Sequence, residues 1–350
     1  MGSLSSTLIR LDGAYGEGGG QILRTALTLS MVTGKPFELV NIRAKRPKPG
    51  LRPQHLTCVK AAQKISRAEV EGARVGSLYL KFFPGPIRAG SYQFDVGTAG
   101  AVSLVFQTVG PALALAGASK LLLRGGTHVP HAPSFHYLAE VYGPSVRPLG
   151  FEFEFELRRY GFYPKGGGEM LVRIFPPKEA SPLRLLGPYR TKKVKVLSVV
   201  TADLPAHIRT RQAKAALELL TKEGFEPEPL LETARAKSPG TFVFLSLTEE
   251  PKRAGFLSLG RKGKPAERVA EEAVLEFLEF WRSGRAVDPY LADQLLLPLA
   301  LAKAPFHFDA SRLTQHFFTN LWVIRHFLPE FSPEVEGALD QPGVVKHLLD

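Results

Sequence analysis

Three segments of the chain share one order of hydrophobic and polar positions. The first, "GEGGGQILRTALTLSMVTGKPFELVNIRA", opens on a glycine-rich turn, runs through an apolar stretch, stops at Thr33-Gly34-Lys35-Pro36 and continues as a strand. "GTAGAVSLVFQTVGPALALAGASKLLLRGG" repeats that order, and "YLADQLLLPLALAKAPFHFDAS" repeats it again. Each apolar stretch lacks a polar face, which predicts a helix buried on nearly every side. A second, more amphipathic helix follows each strand: "RPQHLTCVKAAQKISRA", starting near Pro53, then "PSFHYLAEVYGPSVRPLG", then "LTQHFFTNLWVIRHFLP". The pattern predicts three copies of one strand–helix–strand–helix unit, alike in order but not residue by residue.

A different region separates the second copy from the third. Pro176, Pro177 and Pro182 break the chain after "GFYPKGGGEMLVRIFP". "KKVKVLSVVTADL" reads as a strand, and "HIRTRQAKAALELLTKEG" as an amphipathic helix closed by Gly224. "GTFVFLSLTEE" and "RAGFLSLGRKG" read as paired strands, and "PAERVAEEAVLEFLEFWRSG" as a helix with Pro265 in its first turn. The expected architecture is layered α+β: a small α/β domain over residues 184–284, inserted in a larger domain made of 1–183 and 285–350. A length of 350 residues suits two domains.

Composition narrows the class. Hydrophobic residues make up 44% and charged residues 22%, ordinary for a soluble protein with a large core. The net charge of +12 favours an anionic partner such as nucleic acid or a phosphorylated ligand; a merely basic surface is the other reading. The single cysteine, Cys58, excludes an internal disulfide and a thiolate metal cluster, and is expected in the core. No run of about 18 apolar residues predicts a membrane span. The leader "MGSLSST" lacks the apolar segment of a secretion signal, so a cytoplasmic protein is expected.

The glycine run "GAYGEGGGQILR" raises the question of a phosphate loop. No Gly-x4-Gly-Lys-Ser/Thr string occurs, and the dinucleotide pattern counted from Gly16 and Gly18 ends on Gln21 instead of glycine. A close-packing turn remains, with Glu17, Gln21 and Arg24 as its polar members. A helix beginning near Gly19 puts Gln21 and Arg24 on one face near its N-terminus. Arginine in so apolar a helix requires an anion or a carboxylate. Next, "NIRAKRPKPGLRPQHL" carries Arg43, Lys45, Arg46, Lys48 and Arg52, and Gln54 and His55 open the following helix. Clustered guanidiniums suit phosphate, with a solvated basic loop as the alternative.

Nine histidines are present. His128, His131 and His136 cluster without a standard zinc spacing. His316 stands among polar neighbours on an apolar helix, where a satisfied structural histidine is the plain reading. Asp293, near the start of the third apolar helix, suits a cap or dipole partner, a metal ligand, or a group orienting a histidine.

"DGAYGEGGGQILRTALTLSMVTGKPF" and "IRAKRPKPGLRPQHLTCVKAA", followed in order by "VGTAG", "GGTHVPHAP", "GFYPKGGG", "YLADQLLLPLALA" and "QHFFTNLWVIRHFLP", closely resemble blocks of the RNA 3′-terminal phosphate cyclases. The blocks span nearly the whole chain; the inserted region matches loosely, through "LPAHIRTRQAKAALELL". The resemblance implies three βαβαββ units with a smaller α/β domain inserted in the third. It implies ATP-dependent conversion of an RNA 3′-terminal phosphate to a 2′,3′-cyclic phosphodiester through histidine–AMP and RNA-adenylate intermediates, releasing pyrophosphate and AMP. Carried over by motif, His316 is the nucleophile. Gln21, Arg24, Arg43, Arg46, Gln54 and His55 meet the RNA end or the ATP phosphates, with Lys48 a further contact. Glu17 is a ligand of a divalent metal, Mg or Mn. Tyr290 and Pro133 sandwich the adenine, and Gln107, Leu291, Ala292, Asp293 and Gln294 lie close to the nucleotide. The implied partners are RNA with a 3′-terminal phosphate, ATP and a second copy in a homodimer, without a membrane.

Where the family often reads Pro-Ser-Cys-His, this chain has "RLTQHFF". The histidine is retained, and so are Thr319 and Asn320 after it. Two other readings stand beside the enzyme: a non-catalytic RNA-binding or ribosome-assembly paralogue of the same fold, and an enolpyruvyl-transferase-like enzyme. His316 with "YLADQ" argues against the first, and the blocks around Arg24 and Arg46 against the second.

Overall fold

The computed structural model describes residues 8–348. The leader read above for a secretion signal lies outside the described residues, apart from its continuation at Leu8. The first unit runs β1 (Ile9–Asp12), α1 (Gln21–Thr33), β2 (Phe37–Val40), α2 (Pro53–Ser66), β3 (Glu69–Glu71) and β4 (Leu80–Phe83). The second runs β5 (Ser91–Asp95), α3 (Val102–Ala116), β6 (Ser119–Gly125) and a second helical segment made of α4 (Phe135–Tyr137), a π turn at Leu138–Tyr142 and α5 (Gly143–Val146). It ends in β7 (Phe153–Arg159) and β8 (Gly168–Ile174). The third unit begins with β9 (Leu183–Leu185). Before it continues, the chain builds β10 (Lys193–Thr201), α6 (His207–Lys222), β11 (Glu226–Ala234), β12 (Thr241–Glu249), β13 (Lys252–Leu259) and α7 (Ala266–Arg282). It then resumes with α8 (Pro289–Ala302), β14 (Phe306–Ala310), α9 (Gln315–Phe327), β15 (Glu334–Glu336) and β16 (Gly343–His347).

The three units share one sheet topology. Their strand orders are β1-β2-β4-β3, β5-β6-β8-β7 and β9-β14-β16-β15. In each, the first two strands are parallel and the last two antiparallel. The parallel pair needs a helical crossover, which α1, α3 and α8 supply. The fold is α+β, as expected. The insertion falls between the first strand and first helix of the third unit. Its own sheet, ordered β11-β10-β12-β13, holds a hydrophobic core around Val196, Phe256 and Phe277 beneath α6 and α7.

The crossover helices are the buried ones, and local chemistry sets their ends. Helix α1 buries all but three of its residues and closes on Gly34 in the left-handed region. Asp288 caps α8 by accepting from the N–H groups of Tyr290 and Leu291, with Pro289 at the first helical position. Asp293, read as a candidate cap, sits one turn further in. Thr314 caps α9. Helix α1 packs on α3 and α9, and α8 packs on α9, so the three repeats converge through their helices. Cys58 is buried in that core, as expected. Among the described residues, no helix is long and apolar enough to cross a membrane.

Candidate functional site

A cleft of about 720 Å³ opens where these helices meet the insertion. Helix α1 contributes Gln21, Arg24, Thr25 and Thr28; α3 contributes Leu104 and Gln107; α8 contributes Tyr290, Asp293, Gln294 and Leu297. The start of α9 adds His316 and Asn320, and the loop after β6 adds Val129 to Ser134, Pro133 included. The far wall is β13 and the turn after it, with Arg261 and Lys264.

The glycine run shapes one edge. Gly16 and Gly18 have φ of +57° and +60°, where a side chain is strained. Gly19 and Gly20 have ordinary backbone, but a Cβ there would collide with Glu17 and with the His55 ring. Glycine lets the turn press against its own functional side chains. Glu17 is thereby paired with Arg46 at 3.0 Å, and its carboxylate lies 3.3 Å from Nδ1 of His316.

His316 is held from one side. Its Nδ1 lies 2.7 Å from Oε1 of Gln21. An amide oxygen and a carboxylate oxygen only accept, so Nδ1 carries the proton and Nε2 keeps its lone pair. The Gln21 amide in turn donates to Oδ2 of Asp293 at 3.2 Å. Burial pushes the Asp293 carboxyl up to about 7. Burial lowers the His316 pKa; Glu17 opposes that shift, and Arg24 and Arg46 add to it. Asn320 locks the frame, accepting from Thr25 at 2.6 Å and donating to the Asp293 carbonyl at 2.9 Å.

The cleft is cationic. Arg24 is partly buried, and among the described residues its guanidinium makes no hydrogen bond or ion pair. Burial lowers its pKa, with Asp293 and Glu17 pulling back. Arg312 also lines the cleft; its Nη1 lies 4.0 Å from Glu279, while its Nε is buried and without a partner among the described residues. A buried unpartnered donor such as Arg312 Nε is costly without a ligand.

The remaining expected residues divide. Gln107 donates to Gln294 at 2.6 Å across the cleft. Tyr290 and Pro133 both line it, and the Tyr290 hydroxyl donates to Glu276. Leu291 and Ala292 are fully buried in the core and absent from the cleft wall, because they occupy the opposite face of α8. Arg43 is tied to its own loop through Nη1, which donates to the carbonyls of Lys48 at 2.7 Å and Gly50 at 3.0 Å. Gln54 accepts from the Ala101 N–H at 2.8 Å and joins the first unit to the second. His55 accepts from the Arg52 N–H, and burial together with Arg24, Arg43 and Arg52 pushes its pKa down to about 3.

The three histidines of the cluster do not come together. His128 is buried and its Nε2 lies 2.8 Å from Nδ1 of the half-buried His136, and His128 stacks on Phe242 of the insertion. Among the described residues, no group of three or more His, Cys, Asp or Glu is placed to hold a metal. His131 does reach the cleft, with φ of +62°, an unusual conformation for a residue with a side chain. Sequence reasoning missed Arg312 and the wall at Arg261 and Lys264, and noted Asn320 without giving it a role. The only signal for that wall was the basic string "GRKGKP".

Comparison with known proteins gives this geometry a family. The model of the family described as RNA 3′-terminal phosphate cyclase matches residues 15–331. A protein of Methylococcus capsulatus named RNA 3′-terminal phosphate cyclase is 46% identical over 92% of this chain and 91% of its own length. Proteins of the same name from Thermococcus kodakarensis and Methanopyrus kandleri are 42% and 41% identical, each over 97% of this chain and 99% and 98% of their own. The match runs from the glycine turn beside Glu17 past the helix bearing His316, the two ends of the chain that the cleft brings together, and the chain belongs to the RNA 3′-terminal phosphate cyclase family.

Proposed function

We propose that this protein converts an RNA 3′-terminal phosphate to a 2′,3′-cyclic phosphodiester at the expense of ATP, with His316 as the covalent nucleophile. One observation carries the reading: Nδ1–H of His316 is fixed by Gln21 and Glu17, which leaves Nε2 as a neutral, nucleophilic nitrogen beside the unpaired Arg24. In the first step Nε2 attacks the α-phosphorus of ATP and pyrophosphate leaves. In the second, an oxygen of the RNA 3′-phosphate takes the AMP and Nε2 regains its lone pair. In the third, the neighbouring ribose 2′-oxygen attacks the activated phosphorus, loses its proton and expels AMP.

A phosphomonoester resists direct attack because its oxygens carry negative charge and its leaving group is poor. Adenylation replaces that leaving group with AMP. Arg24 and Arg312 offset charge where the phosphates meet. Tyr290 and Pro133 flank the apolar part of the cleft and suit the adenine. Magnesium sites commonly use one or two carboxylates together with substrate phosphates. Glu17 fits as such a carboxylate, and the ion would offset phosphate charge. A cytoplasmic location and a homodimer belong to the same reading. So does the division into 1–183 with 285–350 and 184–284; the separate core of the insertion supports it, while Arg184 and Leu185 pair with β14 as part of β9.

The test uses ATP labelled in its α-phosphate, a divalent metal and denaturation after reaction. An acid-labile protein–AMP adduct is expected, and His316→Ala abolishes it. A wild-type protein without adduct refutes the mechanism and favours the non-catalytic alternative. A variant that still labels refutes His316 as nucleophile.

A further inference from the structure

One aromatic group near the site has no part in the chemistry above. Gln315, Thr319, Trp322 and His326 recur along a single face of α9. The glycine turn lies on that face: a Cβ on Gly16 would come within 2.5 Å of Thr319 Oγ1 and 3.0 Å of Gln315 Nε2. The Tyr15 ring is carried onto Trp322, with centroids 4.1 Å apart and planes 12° from parallel. His326 meets the same indole edge-on at 4.4 Å. Tyr15 is nevertheless 41% exposed.

The position of this stack suggests its occupant. Tyr15 is two residues from Glu17, which touches both His316 and Arg46. Trp322 lies six residues beyond His316, about 9 Å along the helix. Arg325 and His326 are exposed beside the stack, and Arg325 has no ion pair among the described residues. A partly exposed aromatic stack on the helix that carries His316, with the exposed Arg325 one turn from Trp322, has the make-up of a single-strand platform, on which bases of any sequence can stack.

We propose that the stacked pair Tyr15–Trp322 receives a base of the single-stranded RNA just upstream of the terminal phosphate, with Arg325 facing the adjoining backbone. The proposal rests on the functional reading above. It makes the strand run from His316 along α9, and it makes recognition of the strand insensitive to sequence.

Tyr15→Leu and Trp322→Leu, each in the full chain, test it with three measurements. Binding of a 5′-fluorescent oligoribonucleotide ending in a 3′-phosphate, followed by anisotropy, is expected to weaken at least fivefold. Competition by a mononucleoside 3′-phosphate is expected to stay unchanged, because it has no upstream base. Labelling by ATP without RNA is expected at the wild-type rate, and Tyr15→Phe is expected to restore oligonucleotide binding. Equal losses for oligonucleotide and mononucleotide, or lost ATP labelling, would show that the stack only anchors the glycine turn. Unchanged oligonucleotide binding also overturns the proposal. The two readings fail separately. A wild-type protein that binds the oligonucleotide through Tyr15 but is not labelled by ATP sinks the mechanism alone. A labelled protein indifferent to both substitutions sinks the platform alone.

Discussion

Gln21→Met separates the positioning of His316 from its presence. Methionine keeps the length and apolar stem of glutamine and removes both ends of its amide. The wild-type side chain is 7% exposed and spans His316 and Asp293 with bonds of 2.7 and 3.2 Å. Without it, Nδ1–H retains only the longer contact to Glu17, and Asp293 loses a donor in a buried place. A buried polar group left unpaired costs about 1–3 kcal/mol. If the bond to Nδ1 holds the reactive tautomer through the transition state, that energy comes out of the adenylation barrier. At about 1.4 kcal/mol per tenfold, the rate falls about 5- to 140-fold. The assay is single-turnover formation of the labelled adduct at saturating ATP, with unfolding measured on the same preparation. Gln21→Glu sharpens it. A carboxylate there still accepts from Nδ1 but favours the imidazolium, so the acid limb of the pH–rate profile moves to higher pH. A Met variant that labels within twofold of wild type, or a Glu variant with an unmoved limb, refutes the role assigned to Gln21.

Because burial first, and then Arg24 and Arg46, lower the His316 pKa, adenylation should persist below pH 6.5, and in Glu17→Gln, slower overall for want of that carboxylate, the acid limb should move further down; an acid limb at or above 6.5 in the wild type contradicts this. His136 is pushed from 6.5 to about 4 by burial. The unfolded chain therefore binds a proton that the folded one refuses between those values, and stability falls as pH drops through that window, by about 3 kcal/mol from this residue. Denaturant unfolding at pH 7 and pH 4.5 should show the loss, with a shallower slope in His136→Asn. Gly16→Ala places a Cβ in the left-handed region, which costs about 1–2 kcal/mol, and sets it 2.5 Å from Thr319 Oγ1. Melting temperature and adduct formation should fall together, and an undisturbed variant would mean that the turn needs no glycine there.

Much of the architecture was legible because it is written in local periodicity. An apolar stretch without a polar face belongs to a buried helix whatever its partner, and that alone marked α1, α3 and α8 and revealed the repeat. Motif order carried the family, and with it His316. Strand β11 was not legible. It contains Pro227 and Pro229, which argue against a strand, and it exists because it lies on the sheet edge, where missing donors face away from the ladder. Strand β9 is three residues long and has no periodicity to read, so the point of insertion was set only by its pairing with β14.

The site divides in the same way. Residue types and neighbouring motifs marked Glu17, Gln21, Arg24 and Asp293 as candidates. Only the packing of the first and third units brings Gln21 against His316 and Asp293, positions 295 and 272 residues apart. The same packing sent Leu291 and Ala292 to the core face of α8. Spacing along a chain determines which side chains share a helix face. Which face meets which partner is decided by how three buried helices share one core, and that is a property of the assembled repeats.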